Sequence, residues 1–186
     1  MVTSSRPRWT GVRMIVGVAG PVAMFAVLFA LWLASDRLVH IGPFDRGSFF
    51  WVVLLPLWCL SPSLAALLWR RLGPEVAPPA ATVVGLGLAV VAGVILWYAG
   101  TSDQATCELG PRTDAVGLIA PMGLLGVLIG AGWALCALAS RSLLLHRRSG
   151  IAVGLGVALM LGHFIVAVIA TGAVIMVAGG CNRPPV

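Results

Sequence analysis

Five long stretches of this sequence carry no charged residue, and that property excludes most folds open to a chain of 186 residues. They run from 14 to 34, 49 to 69, 80 to 100, 115 to 138 and 151 to 178. Each supplies the roughly 20 apolar residues that a helix needs to cross a hydrocarbon core about 30 Å thick. A water-soluble domain of this length has no interior large enough for them. Hydrophobic residues make up 60% of the chain and charged residues 10%, the balance of an integral membrane protein. The runs are continuous rather than alternating, so they read as helices and not as barrel strands, and in lipid a helix satisfies its own backbone. The expected fold is therefore all-α: one polytopic transmembrane domain, residues 1–186, built as a five-helix bundle.

The individual runs differ. The fifth is longer than a perpendicular helix requires, which implies tilt or ends that emerge among headgroups. The first exceeds the apolar core of a signal peptide, and Trp32-Leu33-Ala34-Ser35 lacks small residues at both cleavage positions, so it reads as an uncleaved anchor. The second is the most interrupted, by Pro56 and Pro62, and it also holds Cys59, Ser61 and Ser63. Carbonyls freed by these prolines need a serine hydroxyl or a neighbouring helix as partner. Pro21 and Pro121 interrupt the first and fourth runs; such breaks either line a cavity or are absorbed by packing.

Arginine sets the expected orientation. With five spans, Arg6, Arg8, Arg13, Arg70, Arg71, Arg141, Arg147 and Arg148 share one side, and Arg37, Arg46, Arg112 and Arg183 the other. Five of the six acids accompany the smaller group, so the arginine-rich side with the amino terminus is assigned to the cytoplasm and the carboxyl terminus to the exterior. The basic residues are all arginine, and with abundant Ala, Gly and Val this points to a GC-rich bacterial genome and hence to a bacterial plasma membrane. The net charge of +6 expresses topology and attraction to anionic lipid; no nucleic-acid motif or basic face accompanies it.

Topology gives the cysteines meaning. Cys107 and Cys181 both fall on the exterior side, where a disulfide between them persists and ties the outer ends of spans three, four and five together. No Cys-x-x-Cys pair suggests redox catalysis. Cys59 and Cys136 lie inside spans and read as small apolar residues, since a metal role requires further ligands at the same depth.

Glycine marks close helix approach in lipid, where apolar side chains gain little by leaving the acyl chains. Gly126 and Gly130 form a small-xxx-small face in span four; span three adds Gly85, Gly87 and Gly93, and span five Gly154, Gly156, Gly162 and Gly172. Such faces serve packing within the bundle or contact with a second copy or another membrane protein.

Two polar features are candidates for function. The outer connection carries Asp36, Arg37, His40, Asp45 and Arg46, either a ligand or partner site or simply a solvated link between spans. Trp32, Trp51, Trp69 and Trp97, near span ends, match the aromatic belt of membrane interfaces. The second feature is His163 near the middle of span five. Exposure to lipid there is costly, so its ring faces inward, with Gly162 admitting a neighbouring helix and Ser61, Ser63 or a carbonyl freed by Pro56 or Pro62 as its partner.

No phosphate loop, paired intramembrane carboxylates, zinc-protease helix or Asp-rich magnesium motif occurs. His40, His146 and His163 fall at three depths, unsuited to a shared haem. The sequence thus specifies no cofactor, metal or catalytic residue. Two readings of function follow: a non-enzymatic subunit or interaction partner of a larger membrane assembly, or a small oligomeric transporter or channel with His163 lining the path.

Overall fold

A computed structural model describes residues 9–38, 50–106, 115–145 and 149–178. These form five helices: α1 (Trp9–Leu38), α2 (Leu55–Leu72), α3 (Ala77–Thr106), α4 (Ala115–Leu145) and α5 (Ser149–Ala178), with a π-helical turn, Phe50–Leu54, leading into α2. All five are long and apolar enough to cross a membrane, as the five uncharged runs require.

The helices outrun the apolar stretches. Bilayer thickness limits the apolar length and not the helix itself, so α4 continues to Leu145 and carries Arg141 within it, and α2 ends only after Arg70 and Arg71. The uncharged runs end at 69 and 138, ahead of these arginines, but the helices do not. Arg70 and Arg71 are exposed, and long stems of this kind let a helical position near the membrane edge keep its charge close to the headgroups; Arg141 is half-buried, its Nε without a partner among the described residues.

Between α2 and α3 the chain turns within Gly73–Val76. Gly73 adopts φ +114°, a conformation that favours glycine, and its N–H closes the end of α2 on the Trp69 carbonyl at 3.2 Å. Val76, buried, then tucks beneath α1, where Gly17 leaves the space its methyl occupies.

The packing has a clear centre. In α2 and α4, 39% of the membrane-spanning residues are buried, against 11% in α1 and 17% in α5. α4 packs on α3, α2 and α5, while α1 rests on α2 and α3. The α3–α4 seam is a pair of small-residue ladders. A Cβ on Gly130 would meet the Gly85 carbonyl and Ala89, and one on Gly126 would meet the Ala89 carbonyl and Gly93. Gly85, Ala89 and Gly93 on α3 thus face Gly130, Gly126 and Met122 on α4, stepping by four residues along both helices. Backbone touches backbone along this seam, so the small-xxx-small face of span four is engaged inside the chain. The remaining glycines differ: Gly87, Gly154, Gly162 and Gly172 have no atom within reach of an added Cβ.

Outward surfaces are apolar, with Val83, Leu86, Val90 and Val94 exposed along α3 and Ile165, Val166, Val168 and Ile169 along α5. In water such faces would aggregate; against acyl chains they are at home.

Candidate functional site

The centre of the bundle is organised by two prolines and two tryptophans. Pro62 lies inside α2 and has no N–H to give the Trp58 carbonyl one turn earlier. The Ser61 hydroxyl donates to that carbonyl at 2.7 Å, and the indole N–H of Trp133 on α4 donates to Ser61 Oγ at 2.9 Å. A proline-freed carbonyl thereby recruits a serine, and the serine recruits a second helix. The same arrangement occurs at Pro21 in α1. Its missing N–H frees the Gly17 carbonyl, and the indole N–H of Trp69 on α2 donates to it at 3.0 Å.

Trp69 and Trp133 are fully buried and meet edge to face, ring centroids 6.2 Å apart at 90°. Phe25 of α1 packs on Trp133 at 5.5 Å and on Trp58 at 5.2 Å. Offset and edge-on geometries of this kind place the positive ring edge against the negative face. Three helices are thus joined through one aromatic group. Trp69 is therefore not part of the interfacial belt: its position near the end of α2 suggested that role, but the freed Gly17 carbonyl draws it inward. Trp32, 52% exposed, and Trp97, 39% exposed, do face outward.

Toward the arginine-rich end, Ser63 of α2 and Ser140 of α4 approach with hydroxyl oxygens 3.4 Å apart, both buried. Gly156 of α5 closes over them, since a Cβ there would meet both hydroxyls. This triple contact fixes the registers of α2, α4 and α5 relative to one another.

His163 follows from that register. Seven residues beyond Gly156 on α5, it reaches Gly132 of α4, where an added Cβ would stand inside the imidazole. The ring donates to the Ile129 carbonyl, and Nε2 is buried without a partner among the described residues, so Nδ1 is the donor. This corrects the partner expected from sequence. Ser61 is taken by Trp133, Ser63 by Ser140 and the Pro62-freed carbonyl by Ser61, so His163 docks on α4 instead. The glycine that admits it is Gly132 and not Gly162, whose Cα faces outward. A Gly132→Ala change is expected to lower stability by about 1–3 kcal/mol, the usual cost of overpacking. His163→Ala in the same chain should recover part of that loss. Unchanged unfolding of the single variant in detergent would contradict the docking.

Of the outer-loop candidates, Asp36 and Arg37 lie in the last turn of α1, and His40, Asp45 and Arg46 lie outside the described residues, as do Cys107 and Cys181. Cys59 and Cys136 are buried and unbonded. Among the described residues no group of three or more His, Cys, Asp or Glu side chains is placed to hold a metal ion.

Fold and interior together define a polytopic α-helical membrane protein whose central polar groups are tied largely to one another. Comparison with protein-family models, with characterised proteins and with solved structures yields no significant match.

Proposed function

We propose that the chain is a non-enzymatic subunit or interaction partner of a larger assembly in a bacterial plasma membrane. The supporting observation is the closed interior: Trp69 and Trp133 fill the meeting point of α1, α2 and α4, and the serines and indoles around them are paired. A transport path needs polar groups that face a solute, and here they face each other. The outer sides of α1 and α5 are the surfaces left for lipid or for another membrane protein.

The second reading, an oligomeric transporter or channel, is favoured by one observation, the Nε2 of His163 near mid-span, which has no partner among the described residues. Purification in mild detergent separates the two. A larger protein recovered in fixed stoichiometry supports the subunit reading; a self-contained oligomer that moves a solute in liposomes, and loses that activity in His163→Gln, overturns it.

The orientation belongs to the same proposal, with the amino terminus cytoplasmic and a Cys107–Cys181 disulfide outside. Reporters fused after Arg71 and after Val186 should lie on opposite sides of the membrane. Reduction should change gel mobility, and the change should vanish in Cys107→Ser or Cys181→Ser; a shift that persists in both removes the disulfide.

A further inference from the structure

We propose that Cys59, Cys136 and Met160 form a three-sulfur site for a soft monovalent cation, Cu(I), inside the membrane. Ser63, Ser140 and Gly156 mark the point where α2, α4 and α5 meet. Cys59 lies four residues before Ser63, and Cys136 four residues before Ser140. α5 runs opposite to α4, as the pairs Gly156 with Ser140 and His163 with Gly132 require. The residue one turn away in the same direction is therefore four after Gly156, which is Met160. Residues four apart stay on one side of a helix, 6 Å along its axis by the standard rise of about 1.5 Å per residue. One turn from a point where three helices touch, each helix thus presents a sulfur.

Burial agrees with this placement. Cys59 is 3% exposed, Cys136 7% and Met160 0%, and all three belong to one contiguous buried cluster. The thiols are unbonded. Among the fully buried members of that cluster, Met160 carries the one thioether; Met14 packs against the cluster only partly buried.

The donor chemistry selects the ion. Thiolate and thioether sulfur prefer Cu(I), whereas Zn(II) in a structural site requires four ligands, and Ca(II) or Mg(II) require oxygen. Among the described residues no carboxylate or imidazole joins these thiols to make a harder set. Cu(I) arrives and remains as Cu(I). Two thiols become thiolates and release two protons to solvent, the Met160 thioether gives a lone pair, and no electron is transferred.

The test uses the full chain carrying Cys107→Ser and Cys181→Ser, which leaves Cys59 and Cys136 as its only cysteines. The protein is titrated anaerobically with Cu(I) against a competing chelator. The expected result is one Cu(I) per chain with a first shell of three sulfur atoms by X-ray absorption. Cys59→Ala or Cys136→Ala should abolish uptake, and Met160→Leu should reduce the shell to two sulfurs. Should the cysteine variants fail to fold, the shell measured on the parent chain still decides. No uptake, equal uptake in the Cys59→Ala/Cys136→Ala chain, or a shell containing nitrogen or oxygen would overturn the site.

Discussion

Replacing Gly130 with valine is expected to force α3 away from α4 and to be among the most damaging single changes in the protein. The added Cβ would meet the Gly85 carbonyl and Ala89, and valine adds two further methyl groups to a place where backbone already stands. Overpacking usually costs about 1–3 kcal/mol because side chains can shift; here backbone must move, so the loss belongs at or above the top of that range. Gly126→Val should behave alike, since its Cβ would meet the Ala89 carbonyl and Gly93. Gly87→Val is the control. It removes a glycine from the facing helix, α3, at a position with open space, so its effect should be small. Unfolding of the three variants in detergent, followed by circular dichroism, checks the ranking; equal stability of Gly130→Val and Gly87→Val would contradict the seam.

Truncating Trp133 should have a comparable effect by the opposite route. Trp133→Ala empties a fully buried site, removes the ring that packs on Trp69 and Phe25 and removes the donor to Ser61. Buried Trp→Ala changes cost about 3–5 kcal/mol when the surroundings collapse only in part. Trp133→Phe separates the contributions: it keeps most of the ring surface and loses the N–H, so its cost should approach that of one interhelical hydrogen bond, on average about 0.6 kcal/mol and at most about 1.7 in measured membrane proteins. If Trp133→Phe proved as damaging as Trp133→Ala, hydrogen bonding rather than packing would dominate the centre.

Much of this architecture is legible in the residues. Five uncharged runs give five helices, and Pro62 beside Ser61 announces a freed carbonyl and its serine partner. Gly126 and Gly130 announce a close approach, although the facing ladder of Gly85, Ala89 and Gly93 emerges only once α3 and α4 are paired. Helix rotation is what the sequence conceals. A helix that is apolar on every side has no amphipathic stripe to declare its inner face, so Gly162 and Gly132 look alike until the register of α4 and α5 is known. For the same reason Trp69 resembles an interfacial residue, and His163 resembles a partner for whichever serine lies at its depth. Met160 gives no sequence signal as a ligand, because its relation to Cys59 and Cys136 exists only through the triple contact at Ser63, Ser140 and Gly156.

Carbonyls released by prolines hold the interior tryptophans, and a double-mutant cycle on Pro21 and Trp69 measures that hold. In the native chain, Trp69→Phe leaves the Gly17 carbonyl without its donor. In a Pro21→Ala chain, the alanine N–H restores the helical bond to that carbonyl, so the indole has less to satisfy and Trp69→Phe should cost less. The predicted result is a coupling of about 0.5–1.7 kcal/mol, within the range seen for interacting pairs and for hydrogen bonds in membranes. Additivity of the two changes to within about 0.3–0.5 kcal/mol, the behaviour of independent sites, would contradict it.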